Sequence, residues 1–140
     1  MNIFKTMELS ASGLTAQRQR LNVIAENLAN AQVTRTPQGG PYLRKNVILE
    51  TRPSEDFGSL METPSKVAVT GIVENREGLT QEYDPSHPDA NEEGLVTWPN
   101  VNPVTEMVSL VLASRAFDAN VAAFRAEKNM ALKALDIVRS

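Results

Sequence analysis

All eight prolines of this chain lie between Pro37 and Pro103, and six of its seven glycines lie between Gly39 and Gly94. Proline removes a backbone donor and glycine weakens a helix, so these residues punctuate a chain more strongly than any others. The sequence is thereby cut into three parts. Residues 1–31 are expected to form an N-terminal helix, 32–102 a β-rich middle domain with loops, and 103–140 a C-terminal helix. The fold class is α+β: two long terminal α-helices packed as an antiparallel coiled-coil-like pair, with a small β-rich middle domain.

The first helix is expected from about Ile3 to Ala31. Met7, Leu14, Leu21 and Leu28 recur every seven residues, and a second row of Ile3, Ser10, Gln17, Ile24 and Ala31 is half polar. Gly13 stands inside this helix, where it costs about 1 kcal/mol against alanine, so it marks a kink or a close approach of another backbone. Asn27 and Asn30 are poor helix formers. Asn30 suits a fraying last turn; Asn27 suits either fraying or an amide that bonds across a helix interface and fixes its register.

The second helix is expected from Pro103 to about Arg139. Asn102 supplies a capping side chain, and Pro103 occupies the first helical position, where its missing N–H is harmless. Leu110, Phe117, Phe124, Ala131 and Val138 form one apolar row; Met107, Ser114, Val121, Lys128 and Leu135 form the next. Eight alanines between Ala113 and Ala134 keep helicity high and permit close packing on another face.

In the middle, Tyr42–Glu50 and Val67–Glu74 read as strands, with Gly71 suggesting a bulge. Leu79–Tyr83 and Leu95–Trp98 are shorter candidates, and residues 52–65 read as an exposed loop or a poorly ordered insert. Such a middle is too small to cover two long apolar stripes. Burial between subunits is therefore favoured over purely internal burial.

Composition removes several functions. Net charge is −3, and the middle carries six basic against eleven acidic groups, so no basic surface for nucleic acid is expected. Without cysteine there is neither a disulfide nor thiol catalysis. No uninterrupted apolar run reaches the length of a bilayer span, and the first residues lack the apolar core of a cleaved secretory signal. The segment Tyr83–Glu93 gathers the one histidine, His87, with Asp84, Asp89, Glu92 and Glu93. It offers a divalent-metal site on one reading. On the other it is a rigid turn fixed by Pro85 and Pro88, with Asp84 and Asn91 bonding to the backbone. The turn is the preferred reading, and neither cofactor, metal nor enzymatic activity is expected. No nucleophile, base and orienting group come together in the sequence even in outline.

Two blocks carry a resemblance. Ser10-Ala11-Ser12-Gly13-Leu14-Thr15-Ala16-Gln17, followed by Arg20-Leu21-Asn22-Val23-Ile24-Ala25-Glu26-Asn27-Leu28-Ala29-Asn30-Ala31, resembles the N-terminal signature of the bacterial flagellar rod and hook axial proteins. Glu106-Met107-Val108 with Ala113-Ser114-Arg115-Ala116-Phe117-Asp118-Ala119-Asn120-Val121 resembles their C-terminal helix. Tyr83–Asn91 and Pro99–Pro103 look most like proximal-rod members of that family. Glu26 and Gln32-Val33 depart from its usual residues.

The resemblance implies a structural subunit of the basal-body rod, a drive shaft that transmits torque from motor to hook. It implies export by the flagellar type III apparatus without a cleaved signal peptide, and a place in the rod where it crosses the periplasm. The implied partners are other rod proteins, copies of itself and the export-gate adaptor at the rod base, with no nucleic acid, small-molecule substrate or membrane insertion. The assembly interface expected on this basis takes in Met7, Leu14, Leu21, Ile24, Asn27, Leu28 and Asn30 from the first helix. From the second it takes Met107, Leu110, Phe117, Asn120, Val121, Phe124 and Leu135. An adaptor or binding module of a secretion system, built as a coiled coil, is the alternative.

Overall fold

The computed structural model describes residues 3–53 and 65–139. Helix α1 spans Ile3–Ala29 and helix α2 spans Pro103–Arg139. Between them lie β1 (Arg44–Pro53), β2 (Ser65–Asn75), β3 (Thr80–Tyr83) and β4 (Leu95–Trp98). The α+β architecture is as the sequence implies.

Each helix ends for a local reason. The Asn102 side-chain oxygen accepts the backbone N–H groups of Val104 at 3.0 Å and Thr105 at 3.3 Å, so two donors at the start of α2 are satisfied. At the other boundary, Asn30 sends both its backbone N–H and its side-chain amide to the Glu26 carbonyl. Ala31 and Val33 then bond to Leu28 and Asn30 in tighter turns, which close α1 two residues before the expected Ala31.

The helices run antiparallel. Ser10 meets Glu127, Gly13 meets Asn120, and Asn27 meets Glu106. A Cβ on Gly13 would stand 3.2 Å from the Asn120 amide nitrogen, so this glycine marks a close approach by a side chain of α2. Glu106, Leu110, Ala113, Phe117, Asn120, Phe124 and Glu127 recur at helical spacing and form the side of α2 turned to α1. At about 1.5 Å per residue α2 is some 15 Å longer than α1.

Strands β1 and β2 form a long antiparallel ribbon from Arg44↔Asn75 to Pro53↔Ser65. Its register shifts where Ile48 faces Gly71 and Leu49 faces Val69, leaving Thr70 as the extra residue of a bulge beside Gly71. The ribbon lies along α1. Its base is fixed where Lys45 bonds to Asn27, and its far part where the Val67 N–H donates to the Ser12 hydroxyl and Lys66 pairs with Glu8. Arg52, Pro53 and Ser65 thus belong to strands rather than to the expected loop, and residues 54–64 lie outside the described residues.

Strands β3 and β4 make a second two-stranded antiparallel sheet, Thr80↔Trp98 to Tyr83↔Leu95. Gly94 closes its loop at φ 76°, in the left-handed region that favours glycine, and a Cβ there would lie 2.8 Å from the exposed Tyr83 ring, which would have to move. Among the described residues the buried apolar side chains are Ala16, Val23, Ile24, Tyr42, Val96, Val101 and Ala113.

Candidate assembly interface

Where the helices meet the sheets, polar groups close the structure. Asn27 is 1% exposed and uses its side-chain amide as a strand uses its backbone. Its nitrogen donates to the Lys45 carbonyl at 2.9 Å, and its oxygen accepts the Lys45 N–H at 2.9 Å. The same oxygen accepts the Tyr42 hydroxyl at 2.9 Å. The amide nitrogen also reaches Glu106 Oε2 at 3.4 Å, which joins α1 to α2.

Glu106, equally buried, is balanced by Arg44, whose Nε donates to Oε1 at 2.6 Å. A buried carboxylate without such a partner would cost several kcal/mol. Asn100 extends the network. It accepts the Arg44 N–H and donates to the carbonyls of Asn75 and Glu77, so both ends of the ribbon's base are held. Burial, and then the carboxylates of Glu26, Glu74 and Glu106, push the Tyr42 hydroxyl up to about 12. One group of side chains thus sets the angle between helix pair and ribbon.

On the opposite side of α2 the surface is open and apolar. Val104, Met107, Val108, Val111 and Leu112 are all exposed, and their spacing puts them on one stripe facing away from α1. Arg115 continues it and helps to line a shallow apolar groove with Met107, Val108, Val111 and Leu112. Met130, Leu132, Leu135 and Ile137 are exposed in the distal part of the helix. Within Pro103–Ile137 the most apolar window reaches a mean hydropathy of 1.3 with only 6% of it buried. By length and composition, that is enough to cross a membrane. The sequence expectation of no such helix rested on uninterrupted runs, and charged residues break the runs of α2 without lowering its average.

The expected interface residues fall into three groups. Ile24 and Asn27 are buried inside their own chain. Met7, Leu14, Leu21, Leu28 and Asn30 of α1, with Leu110, Phe117, Asn120, Val121 and Phe124 of α2, are half-buried. Met107 and Leu135 are exposed. Sequence reasoning by seven-residue rows passed over Val104, Val108, Val111 and Leu112, although the spacing of 104, 108 and 111 was there to be read. It also passed over Glu106 and Arg44. An acid in the first turn of a helix has an ordinary explanation in the helix dipole, so it gives no signal of a buried partner.

The segment after β3 is a turn. Asp84 accepts the Ser86 hydroxyl at 2.6 Å and the Ser86 N–H at 3.0 Å, and these bonds hold its carboxyl below the ordinary range. Asn91 caps the return by accepting the N–H groups of Glu93 and Leu95. Among the described residues, no three His, Cys, Asp or Glu side chains are grouped as metal ligands.

Comparison with known proteins bears on the same two helices. Residues 7–35 match the flagella basal body rod protein family, and residues 93–137 match the flagellar basal body rod FlgEFG protein C-terminal family. The flagellar basal-body rod protein FlgC of Bacillus subtilis is 42% identical over 98% of this chain and 99% of its own. That of Borreliella burgdorferi is 37% identical over 99% of both chains. That of Salmonella typhimurium is 37% identical over 98% of this chain and 96% of its own. Identity of this extent runs through both helices and the sheets between them, and the chain belongs to the FlgC family of flagellar basal-body rod proteins.

Proposed function

We propose that this chain is a structural subunit of the proximal flagellar rod and that it assembles through the open side of α2. The observation that carries the reading is the helix itself: long, apolar, and covered by its own chain on one side only. A stripe of five large side chains left in water is unfavourable, at about 1.5–3 kcal/mol for each that burial would remove. Neighbouring rod subunits, whether copies of this chain or its relatives, supply the cover. The half-buried rows of Leu14, Leu21, Phe117 and Phe124 leave further edges for the same purpose.

Protein suits this surface better than lipid. Arg115, Asp118, Arg125, Glu127 and Lys128 sit along α2, and a charged side chain at the bilayer centre costs about 2.5–3.5 kcal/mol. A stack of helices accommodates such residues at its seams, where they pair with opposite charges. The Asn27–Glu106–Arg44 network then keeps helix pair and ribbon rigid against each other, as a shaft that carries torque requires. Export through the flagellar apparatus, contact with an adaptor at the rod base and a position across the periplasm belong to the same reading. The relatives are named as rod proteins, which favours this reading over a secretion adaptor or an enzyme centred on His87.

The test is replacement of Val108 by aspartate in the chromosomal copy. The expected result is a stable protein, non-motile cells and basal bodies lacking the subunit. Normal motility would remove the outer stripe from the interface.

A further inference from the structure

The loop between β3 and β4 carries the chain's one histidine, and β4 carries its one tryptophan. The rings of His87 and Trp98 meet edge to face, with centroids 5.8 Å apart and planes inclined at 65°. His87 Nδ1 accepts the backbone N–H of Asp89 at 3.1 Å. A ring nitrogen that accepts a hydrogen bond carries no proton, so the turn is built around the neutral imidazole protonated on Nε2. Asp89 also ties this turn to the segment that follows α1. Its carboxylate accepts the Thr34 hydroxyl at 2.7 Å and lies 3.7 Å from the Arg35 guanidinium. Backbone bonds from His87 to the Asp84 carbonyl and from Ala90 to the His87 carbonyl hold the ring in place.

We infer that this turn is a proton-operated latch, in which protonation of His87 breaks the Asp89 hook and loosens the turn that the Asp89 side chain ties to Thr34 and Arg35. A protonated Nδ1 is a donor, and the Asp89 N–H would then face another donor. The imidazolium also attracts carboxylate. Asp84 and Asp89 flank it in the turn, Arg35 lies against the Asp89 carboxylate, and β4 presents the uncharged indole. Asp84 is the carboxylate that feels the His87 charge, so a protonated ring is drawn toward it and away from the Asp89 N–H. The hook exists only with the neutral ring. The latch is therefore closed while the ring is neutral and opens once it takes up a proton.

Trp98 is the reporter, because it touches His87 and its buried Nε1–H has no acceptor among the described residues. In the full-length chain, Trp98 emission and amide-exchange protection at Asp89 are followed between about pH 8 and pH 5, the range of histidine titration. Emission is expected to change along a one-proton curve. Asp89 protection is expected to drop at least about fivefold with the same midpoint, the equivalent of one lost hydrogen bond of about 1 kcal/mol. His87→Asn retains a side-chain acceptor for the Asp89 N–H and cannot titrate, so it is expected to keep the protection across the range. Unchanged Asp89 protection while the emission titrates would overturn the latch. So would an equal loss of protection in the His87→Asn variant.

Discussion

Glu106 and Val108 stand two residues apart on α2, the first 1% exposed and the second 56% exposed. Around Glu106 each polar group has a partner: Arg44 and Asn27 reach its two oxygens, and Lys45 and Tyr42 complete Asn27. Around Val108 the neighbours on its stripe are Val104, Val111 and Leu112, and all of them face out. The inner side of the helix is polar where it is most buried, and the outer side is apolar where it is most exposed. A monomeric protein distributes these residues the other way round. The difference separates two tasks: the base fixes geometry within one subunit, and the flank seeks cover from others.

The sharpest way to break this comparison is to place charge on the flank. Val108→Asp combined with Val111→Asp is predicted to abolish incorporation into the basal body. Thermal unfolding of the isolated chain should change by no more than about 0.5 kcal/mol, as for ordinary surface substitutions. Loss of monomer stability on the scale of a core mutation would mean that the stripe is covered internally.

The base should respond in the opposite sense. Arg44→Met leaves the Glu106 carboxylate buried with the Asn27 amide as its remaining partner among the described residues. A cost of about 3 kcal/mol is predicted, as for other broken buried pairs, readable as a lowered denaturation midpoint. A midpoint unchanged from wild type would show that the network carries little of the fold's stability.

The same network gives an alkaline signature. The folded Tyr42 hydroxyl titrates at about 12 against an ordinary value of 10.0. Its folded form holds a proton that the unfolded form has lost between those values. The stabilisation is therefore complete below pH 10 and falls as pH rises toward 12, by on the order of 2 kcal/mol. Thermal melts at increasing pH check this, and Tyr42→Phe should remove that slope.

The smallest effect is expected at Gly13. Alanine gains about 1 kcal/mol of helix propensity but brings a Cβ to 3.2 Å from the Asn120 amide, which must move. A net change within about 0.5 kcal/mol is predicted for Gly13→Ala. A larger side chain at this position should push the helices apart and cost more.

Elements set by local chemistry were legible in the sequence. The proline and glycine distribution gave the three-part order, Asn102 and Pro103 gave the start of α2, and Gly71 gave the bulge. Leu95–Trp98 was read with its bounds, and the Asp84–Asn91 segment was read as a turn held by those two side chains. Long-range polar pairing was not legible. Arg44 and Glu106 are 62 residues apart in the chain, and nothing local to either tells that they meet. The sequence leaves Asn27 between a fraying turn and an amide acting between helices, and its larger role is to extend a β-strand's bonding into α1. The flank was half legible. A seven-residue repeat selects the side of a helix that packs continuously on one partner. A stripe at 104, 108 and 111 on the other side follows the same 3.6-residue period in a different phase.

The most direct test is the accessibility of a single cysteine introduced as Val108→Cys in this cysteine-free chain. A small thiol reagent should label it rapidly in the purified subunit and leave it protected in isolated basal bodies. Equal labelling in both would contradict the claim that neighbouring subunits cover the outer side of α2.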